Sequence, residues 1–445
     1  MKNTFLSTFG GCLLSLSAQA QWVNQPISFT TGLGTTTLDA VDANAAWCSA
    51  RPAGPNFIAP QVARTTNGGQ TWTVSNPPIP AGAEQVITAL SAPDANNAWI
   101  TLHASSVPGM IMHTSDGGLT WTTQSSATVF ASTSSFPDLI HMFSTGEGLT
   151  IGDPLTPQTP LEMYRTTDGG TTWTPVLNSP RTLPYEYPVE TPPTVVGNHI
   201  WFGTSTGRVF HSPDKGATWT VTAVDPNLLY VTTIVFRDAQ NGLLVAADDQ
   251  GTAHQLFRTT DGGTTWAAVP YSGPLHGLGL SAVPGTGLYV SAGVDIGNGD
   301  QGSSYSRDNG QTWVPIEATL NHYITEFVSP NAGWSASLSL TSTVTGANRF
   351  GGTLLANRTD ATLQASLTVS PNPAMGGRFA LRAAGSTGNR TATVRVLDST
   401  GRLVQQRAWT SATALDLDLS QQPAGLYVLE VQSASGTARQ KVVVQ

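Results

Sequence analysis

The sequence has little charge and almost no lysine. Charged residues occupy 11% of its 445 positions, whereas an average soluble protein has about 25%. The only lysines are Lys2, Lys215 and Lys441, and the formal net charge is −8. A protein that neutralises nucleic-acid phosphates needs a stripe of basic residues. The composition therefore argues against nucleic acid as a partner.

Cysteine and long apolar runs are also scarce. The two cysteines are Cys12 and Cys48. Since Cys12 lies in the leader described next, the mature chain keeps one thiol and an intramolecular disulfide is excluded. Beyond the leader, no segment approaches the roughly 20 apolar residues of a membrane-spanning helix. We therefore expect no transmembrane segment.

Residues 1–20 have the pattern of a cleavable signal peptide. A basic start and an apolar stretch precede the small-x-small sequence Ala18-Gln19-Ala20, which is typical of a cleavage site. The apolar stretch is short before Cys12 and continues past it, which argues against lipid attachment at that residue. We expect export and a mature chain that begins at Gln21.

Glycine and proline are abundant, with 45 and 29 residues, as in a turn-rich all-β chain. One eight-residue pattern occurs six times, and its final tryptophans are 46 to 52 positions apart. That period suits one four-stranded blade of a β-propeller, which takes roughly 40 to 50 residues. The copies are TTNGGQTW at 65–72, TSDGGLTW at 114–121, TTDGGTTW at 166–173, SPDKGATW at 212–219, TTDGGTTW at 259–266 and SRDNGQTW at 306–313.

An apolar hairpin precedes each copy and occurs a seventh time after the last one, which predicts seven blades. We assign the third strand of the seventh blade to residues 351–360, with Thr359-Asp360 as the remnant of a seventh copy. The fourth strand of that blade is then missing. Because an open sheet edge invites pairing with other chains, we expect residues 21–30 to complete the blade and close the ring.

Each residue type in the eight-residue pattern suits a tight turn between strands. Glycine reaches positive φ without a Cβ clash, the carboxylate accepts bonds from turn N–H groups, and the tryptophan covers the hairpin. A carboxylate engaged by its own turn is not free for catalysis. The residues to which we assign this structural role are Asn67, Asp116, Asp168, Asp214, Asp261, Asp308, Trp72, Trp121, Trp173, Trp219, Trp266 and Trp313.

Over residues 40–360 the repeats resemble the Asp-box, or BNR, repeat. Proteins with this repeat include sialidases, xyloglucan-cleaving endoglucanases, sortilin-type receptors and photosystem II assembly and stability factors. The combination of hairpin and box is most similar to the last group and its bacterial relatives. The resemblance implies that residues 21–360 form a seven-bladed β-propeller in which the boxes are scaffold, so the repeat does not select among these functions.

The composition changes after a short polar connection at 361–365. Strands that alternate apolar and polar residues follow at 391–398, 402–409, 415–419, 425–431 and 438–444. About seven short strands in roughly 80 residues predict a small Ig-like β-sandwich over 366–445. The whole chain is therefore expected to be all-β, a seven-bladed propeller followed by this sandwich.

The segment 366–445 resembles the type A sorting domain of bacterial type IX secretion. The resemblance implies export through the periplasm and outer membrane, with the secretion machinery as partner and the passenger released or attached to the cell surface. An adhesion module that stays on the protein is the alternative. Residues that carry the resemblance include Pro371, Asn372, Pro373, Gly425, Tyr427 and Lys441.

The longest loops are predicted on the propeller face opposite the boxes, which we call the loop face. Variable loops on a rigid scaffold carry most binding sites, and aromatic and acidic side chains together suit sugars or peptides. The candidate binding residues on this face are Asp153, Asp248, Asp249, Asp295, Arg181, Tyr185, Glu186 and Tyr187, with Glu190 in the same loop as the last four.

We expect a monomeric, non-catalytic binding or scaffold propeller with a glycan or protein ligand, without cofactor or metal. The alternative is a glycan-active hydrolase, sialidase-like or endoglucanase-like. A sialidase brings its Tyr–Glu pair together from distant strands, whereas Tyr185 and Glu186 share one loop. A glycosidase needs two carboxylates roughly 5 to 9.5 Å apart. Two buried carboxylates with raised pKa values at the channel mouth would favour the hydrolase, and an aromatic rim without them would favour binding.

Overall fold

The computed structural model describes residues 21–445 with internal gaps. The gaps are 53–56, 80–83, 106, 226–229, 248–253, 296, 298, 339–345, 353, 355–360, 385–390, 400–401, 411–412 and 434–435. The expected signal peptide, residues 1–20, lies outside the described residues. Within the described part, no helix is both long and apolar enough to span a membrane.

Residues 22–350 form seven four-stranded antiparallel sheets. Strand β1 (Trp22–Pro26) belongs to the last of them. Sheet one has β2 (Leu33–Ala40), β3 (Ala46–Pro52), β4 (Gln61–Thr65) and β5 (Thr73–Ser75); sheet two has β6 (Val86–Ser91), β7 (Ala98–His103), β8 (Met110–Thr114) and β9 (Thr122–Thr123); sheet three has β10 (Pro137–Met142), β11 (Gly148–Gly152), β12 (Glu162–Thr166) and β13 (Thr174–Pro175). Sheet four has β14 (Thr194–Val196), β15 (His199–Gly203), β16 (Arg208–Ser212) and β17 (Thr220–Ala223); sheet five has β18 (Tyr230–Phe236), β19 (Gly242–Ala247), β20 (His254–Thr259) and β21 (Ala267–Ala268). Sheet six has β22 (Gly279–Ala282), β23 (Tyr289–Gly293), β24 (Gly302–Ser306) and β25 (Val314–Glu317); sheet seven has β26 (Thr325–Ser329), β27 (Ala332–Ser337), β28 (Gly346–Phe350) and β1.

The seventh sheet contains both ends of the propeller sequence. Strand β1 pairs antiparallel with β28, with Trp22 opposite Phe350. The third strand of this sheet is therefore β28, and the prediction of 351–360 for it was wrong. Arg349 shows that β28 is equivalent to the third strands of the other sheets. Its guanidinium lies over the Trp334 ring at 5.6 Å, as that of Arg64, in the third strand of the first sheet, lies over Trp47 at 5.6 Å. The expected box remnant at Thr359-Asp360 lies outside the described residues.

Apolar packing joins the sheets into a ring. Seven hydrophobic clusters each contain side chains of two consecutive sheets, and one of them packs Leu38 of the first sheet with Trp334 of the last. Side chains of the first strands add hydrogen bonds from sheet to sheet. The backbone N–H groups of Ala40, Ala92, Met142 and Phe327 donate to Glu326, Asp39, Ser91 and Ser281 respectively, over 2.6 to 3.0 Å.

The box turns hold themselves together through their own side chains. In the third sheet, the Asp168 carboxylate accepts from the Thr172 N–H at 2.8 Å and from the Thr172 hydroxyl at 2.6 Å. Gly170, at φ 84°, donates its N–H to Thr166 Oγ1. The box tryptophan that follows, Trp173, packs into the cluster between sheets two and three. The box carboxylates are occupied within their turns, as scaffold residues should be.

The C-terminal segment is a separate all-β unit with its own core. A short helix, α1 (Ala361–Ser366), and a 3-10 turn at Met375–Gly377 accompany seven strands in two sheets, ordered β29-β30-β33 and β32-β31-β34-β35. Residues 361–365 were expected to be a polar connection, but the structure places most of α1 there, with Leu363 buried in this core. The strands are β29 (Leu367–Ser370), β30 (Arg378–Ala383), β31 (Thr391–Leu397), β32 (Leu403–Thr410), β33 (Leu415–Asp418), β34 (Gly425–Ser433) and β35 (Gly436–Val444).

The residues at 371–373 hold the last strand of this unit. The Asn372 side chain donates to the Lys441 carbonyl at 2.8 Å and accepts from the Val443 N–H at 3.0 Å. The buried Tyr427 donates its hydroxyl to the Pro423 carbonyl at 2.7 Å. Asn372 therefore fixes β35 by hydrogen bonds to two backbone groups of that strand.

Candidate binding site at the channel mouth

The first strands of the seven sheets line a central channel. Strand β14 has only three residues. The irregular segment before it, which includes Pro192 and Pro193, therefore lines the channel where a longer first strand would otherwise lie. This segment lines two cavities of about 190 Å³ and 390 Å³. The smaller cavity, between sheets seven, one, two and three, contains the acidic residues of the channel.

Seven side chains are grouped around Asp138 and Glu190, the two of them that line the smaller cavity. Second strands end on the loop face, so β3 and β11 bring Arg51 and Asp153. First strands begin there, so β10 and β18 bring Asp138 and Tyr230. We call the group the mouth cluster, and its members are Arg51, Asp138, Asp153, Glu162, Glu190, Tyr230 and Tyr323.

Two aspartates of the mouth cluster have unsatisfied oxygens. Asp138 is 2% exposed, and its Oδ2 has no hydrogen-bond partner. The Oδ1 of the half-buried Asp153 also lacks one. A buried carboxylate oxygen without a partner is costly. These two atoms are therefore places where a ligand group would be stabilised.

Burial raises the pKa of both aspartates. The pKa of Asp138 lies well above its usual range because the side chain is desolvated, and the charges of Asp153 and Glu190 raise it further. Burial raises the pKa of Asp153 to about 6, with smaller contributions from Glu190 and Glu162. The carboxyls repel one another, so the mouth cluster disfavours its own full ionisation.

Glu190 lies at the centre of the mouth cluster. Its carboxylate pairs with the Arg51 guanidinium at 3.1 Å, and both side chains are about one-third exposed. Burial raises the pKa of Tyr230 to about 12, and its largest electrostatic neighbours are Tyr187, Tyr323 and Glu190. Glu190 is thus a solvent-accessible carboxylate between a cation and aromatic rings.

The floor of the smaller cavity carries a second acidic pair. Asp39 and Glu326 line the cavity and accept backbone N–H groups of neighbouring sheets. Desolvation raises the pKa of Asp39 to about 6, and desolvation together with the charge of Asp39 raises that of Glu326 to about 8. Their hydrogen bonds join sheets, which gives this pair a structural role.

The structure separates the predicted loop-face residues. Asp153 lies in the mouth cluster, and Tyr187 lies beside it at 44% exposure. Glu186 is 1% exposed, and its carboxylate is held by Arg208, by the Leu183 N–H and by the Thr204 hydroxyl. Glu186 therefore anchors its loop and is not accessible to a ligand.

The other predicted residues lie apart from the mouth cluster or outside the described residues. Arg181 donates to the Gln158 carbonyl, and Tyr185 is 87% exposed. Asp295 accepts the N–H groups of Gly297 and Gly299 in its own turn. Asp248 and Asp249 lie outside the described residues. In the part of the chain that the structure describes, no group of three or more His, Cys, Asp or Glu could hold a metal ion.

Sequence reasoning missed Asp138, the most buried acid of the site. A signal for it exists, since an acidic residue at the start of an apolar first strand, as in Pro137-Asp138-Leu139-Ile140, faces the loop end of the channel. Arg51, at the end of β3, occupies the position in its sheet that Asp153 occupies at the end of β11. The reasoning that predicted Asp153 therefore applies to Arg51 as well. These strand ends come together only because the sheets form a ring, so no local sequence pattern shows that their side chains are neighbours.

Comparison with known families identifies the export route of the protein. Residues 368–445 match the family described as the secretion system C-terminal sorting domain. The protein is exported by type IX secretion. It is therefore secreted or displayed on the cell surface, as the resemblance at 366–445 predicted. None of the curated proteins compared with the chain matches it.

A similarity to one solved structure supports the propeller fold. The chain is similar to the structure described as YCF48 bound to D1 peptide, with 16% identity, a TM-score of 0.53, and coverage of 75% of this chain and 97% of that one. A GH74 xyloglucanase from Xanthomonas campestris is 12% identical, with a TM-score of 0.41 over 91% of this chain and 79% of that one. The Hadza microbial sialidase Hz136 is 14% identical, with a TM-score of 0.39 over 73% and 65%. At this identity the first similarity bears on fold alone.

Proposed function

We propose that the protein is a non-catalytic binding propeller, delivered to the cell surface or the medium, which holds a protein or glycan ligand at the mouth cluster. The observation that carries this proposal is the unsatisfied Oδ2 of the buried Asp138, which lines a cavity of about 190 Å³. A preformed cavity with a few convergent polar groups is the usual form of a binding site.

The rim of the cavity supports the same function. Tyr187 is exposed beside the mouth cluster, and Leu183 and Tyr185 are exposed on the same loop. Exposed aromatic rings with polar groups nearby suit the stacking and hydrogen bonding of a bound chain. A propeller of this fold has been solved with a bound peptide, which is consistent with a propeller that acts by binding.

A hydrolase that acts on glycans is the second candidate, because the carboxylates with raised pKa values that would favour it are present together with the aromatic rim that favours binding. Asp138 and Asp153 are electrostatic neighbours with raised pKa values, and a protonated carboxyl beside an ionised one is the arrangement of a general acid and its partner. The hydrogen bonds of the floor pair, Asp39 and Glu326, instead join sheets, so that pair does not favour the hydrolase.

The purified chain and its Glu190→Gln variant should be applied to glycan and peptide arrays, with parallel assays for glycan hydrolysis. Asp416→Asn, at an exposed carboxylate of the C-terminal unit, is the matched control. We expect selective binding, reduced at least tenfold by Glu190→Gln and unchanged by Asp416→Asn, without turnover.

Two results would overturn this proposal. Turnover that disappears in both Asp138→Asn and Asp153→Asn while the ligand still binds would establish the hydrolase. Array binding that is insensitive to Glu190→Gln, Asp138→Asn and Asp153→Asn would move the site away from the mouth cluster.

A further inference from the structure

Charge at the mouth cluster is unbalanced. The cluster has four carboxyl groups and one guanidinium, and that guanidinium, on Arg51, already pairs with Glu190 at 3.1 Å. Among the described residues, no cationic side chain forms an ion pair with Asp138 or Asp153. A site that folds with buried acidic oxygens and no internal cation is prepared for an external one.

We infer that the ligand group which enters the mouth of the smaller cavity is a cationic side chain, lysine or arginine, of a protein ligand. The inference rests on the proposed function and names the chemistry that the site recognises. The cation would bind Asp138 Oδ2, and the other carboxylate oxygens of the mouth cluster without partners are Asp153 Oδ1 and Glu162 Oε2.

Repulsion among the carboxyls favours a cation over a sugar hydroxyl. The charges of Asp153 and Glu190 both oppose ionisation of Asp138. A positive group relieves this repulsion and donates charge-assisted hydrogen bonds to the carboxylates, which are stronger than neutral ones. A hydroxyl supplies one hydrogen bond but no charge, so it leaves the repulsion in place.

The cavity and its rim limit the size of the group. A volume of about 190 Å³ compares with the roughly 150 Å³ cavity that holds a benzene molecule, so it admits one side chain and not a folded segment. Tyr230 is an electrostatic neighbour of Tyr187 and Tyr323 and of Glu190 and Asp138, which line the cavity. Aromatic rings pack against the aliphatic stem of a lysine or the face of a guanidinium.

Several titratable groups surround Asp138 and set how binding depends on pH. They come from sheets one, three, five and seven and from the loops beside them, including the loop before β14: Arg51, Asp39, Glu326, His141, Asp153, Glu162, Glu190, Tyr230 and Tyr323. A cation stabilises ionised Asp138, so binding at neutral pH should release a proton to the buffer.

The test uses three acetylated and amidated tripeptides, Gly-Lys-Gly, Gly-Arg-Gly and Gly-norleucine-Gly, titrated into the purified chain at low salt and followed by NMR. Norleucine keeps the lysine stem and removes its charge. We expect the lysine or the arginine peptide to bind at least tenfold more tightly than the norleucine peptide, and the lysine-to-arginine comparison identifies the cation.

Asp138→Asn and Asp153→Asn preserve shape and remove charge, and Asp416→Asn is the control. Each aspartate variant should reduce the preference for the cationic peptide at least tenfold, with tryptophan fluorescence melting to verify the fold. Equal binding of the lysine and norleucine peptides, binding of none of the three, or a preference unchanged in both aspartate variants would overturn the inference. A neutral glycan bound on the array and lost in Glu190→Gln would, by contrast, leave the proposed function intact.

Discussion

Replacement of Glu326 by glutamine should stabilise the propeller at neutral pH. Glutamine keeps an oxygen that can accept the Ala40 N–H, which Glu326 now binds at 2.6 Å, and it cannot ionise. The pKa of Glu326 is raised from 4.5 to about 8. For an acid whose pKa is higher in the folded state, the unfolded chain loses its proton first, so stability falls as pH rises from 4.5 to about 8.

The magnitude follows from the pKa. At about 1.36 kcal/mol per pKa unit, the ionisation cost accumulated between pH 4.5 and pH 7 is about 3 kcal/mol. Glu326 lines a cavity wide enough for water, and solvent screens part of the cost. We therefore expect Glu326→Gln to raise the free energy of unfolding by about 1 to 2 kcal/mol at pH 7 and by almost nothing at pH 4.5.

Urea unfolding followed by tryptophan fluorescence reports on the propeller, because Trp409 is the one tryptophan of twelve in the C-terminal unit. The parent chain, Glu326→Gln and Asp416→Asn should be compared at pH 4.5, 6, 7 and 8. A gain for Glu326→Gln that did not grow with pH, or a variant less stable than the parent at pH 7, would refute the reasoning.

Three other predictions concern the loop anchor, the last strand and the mouth cluster. Arg208→Met should lower the free energy of unfolding by about 3 to 5 kcal/mol, because it leaves the buried Glu186 carboxylate without its cation; an unchanged melting temperature would contradict this. Asn372→Ala removes two hydrogen bonds to β35, worth about 1 to 3 kcal/mol, and should lower the fraction of protein found outside the cell; full secretion with unchanged melting would show that the contacts are dispensable. Affinity for a cationic ligand should rise with pH through about 6, since Asp153 ionises there; affinity that is flat or falls between pH 5 and 7.5 would exclude Asp153 from the site.

The parts of the fold that local chemistry dictates could be predicted from the sequence. The box turns repeat because Asp168 and its equivalents bond within four residues of themselves, and such contacts leave a pattern in the sequence. The third strand of the last sheet was misassigned because the box remnant Thr359-Asp360 favoured 351–360 over a less visible feature. That feature is the arginine position of the repeat, which Arg349 occupies.

The site was less predictable because its parts come from distant positions. Asp138 and Asp153 are separated by a strand pair, and Arg51 reaches Glu190 across 139 positions. Glu186 shows the opposite problem, because an acidic residue in a long aromatic loop has the composition of a binding site. Its partner Arg208 lies 22 positions away, and only the folded loop reveals that the carboxylate is already neutralised.

Hydrogen exchange on the propeller with and without an array-selected ligand tests the central claim most directly. If the ligand binds the mouth cluster, the backbone amides of Arg51, Asp138, Leu139, Gly152, Asp153, Tyr187, Val189 and Glu190 should exchange more slowly in the complex. The amides of the box turns, such as 116–118 and 168–170, should be unchanged. Protection confined to the box turns, on the opposite face, would contradict the account.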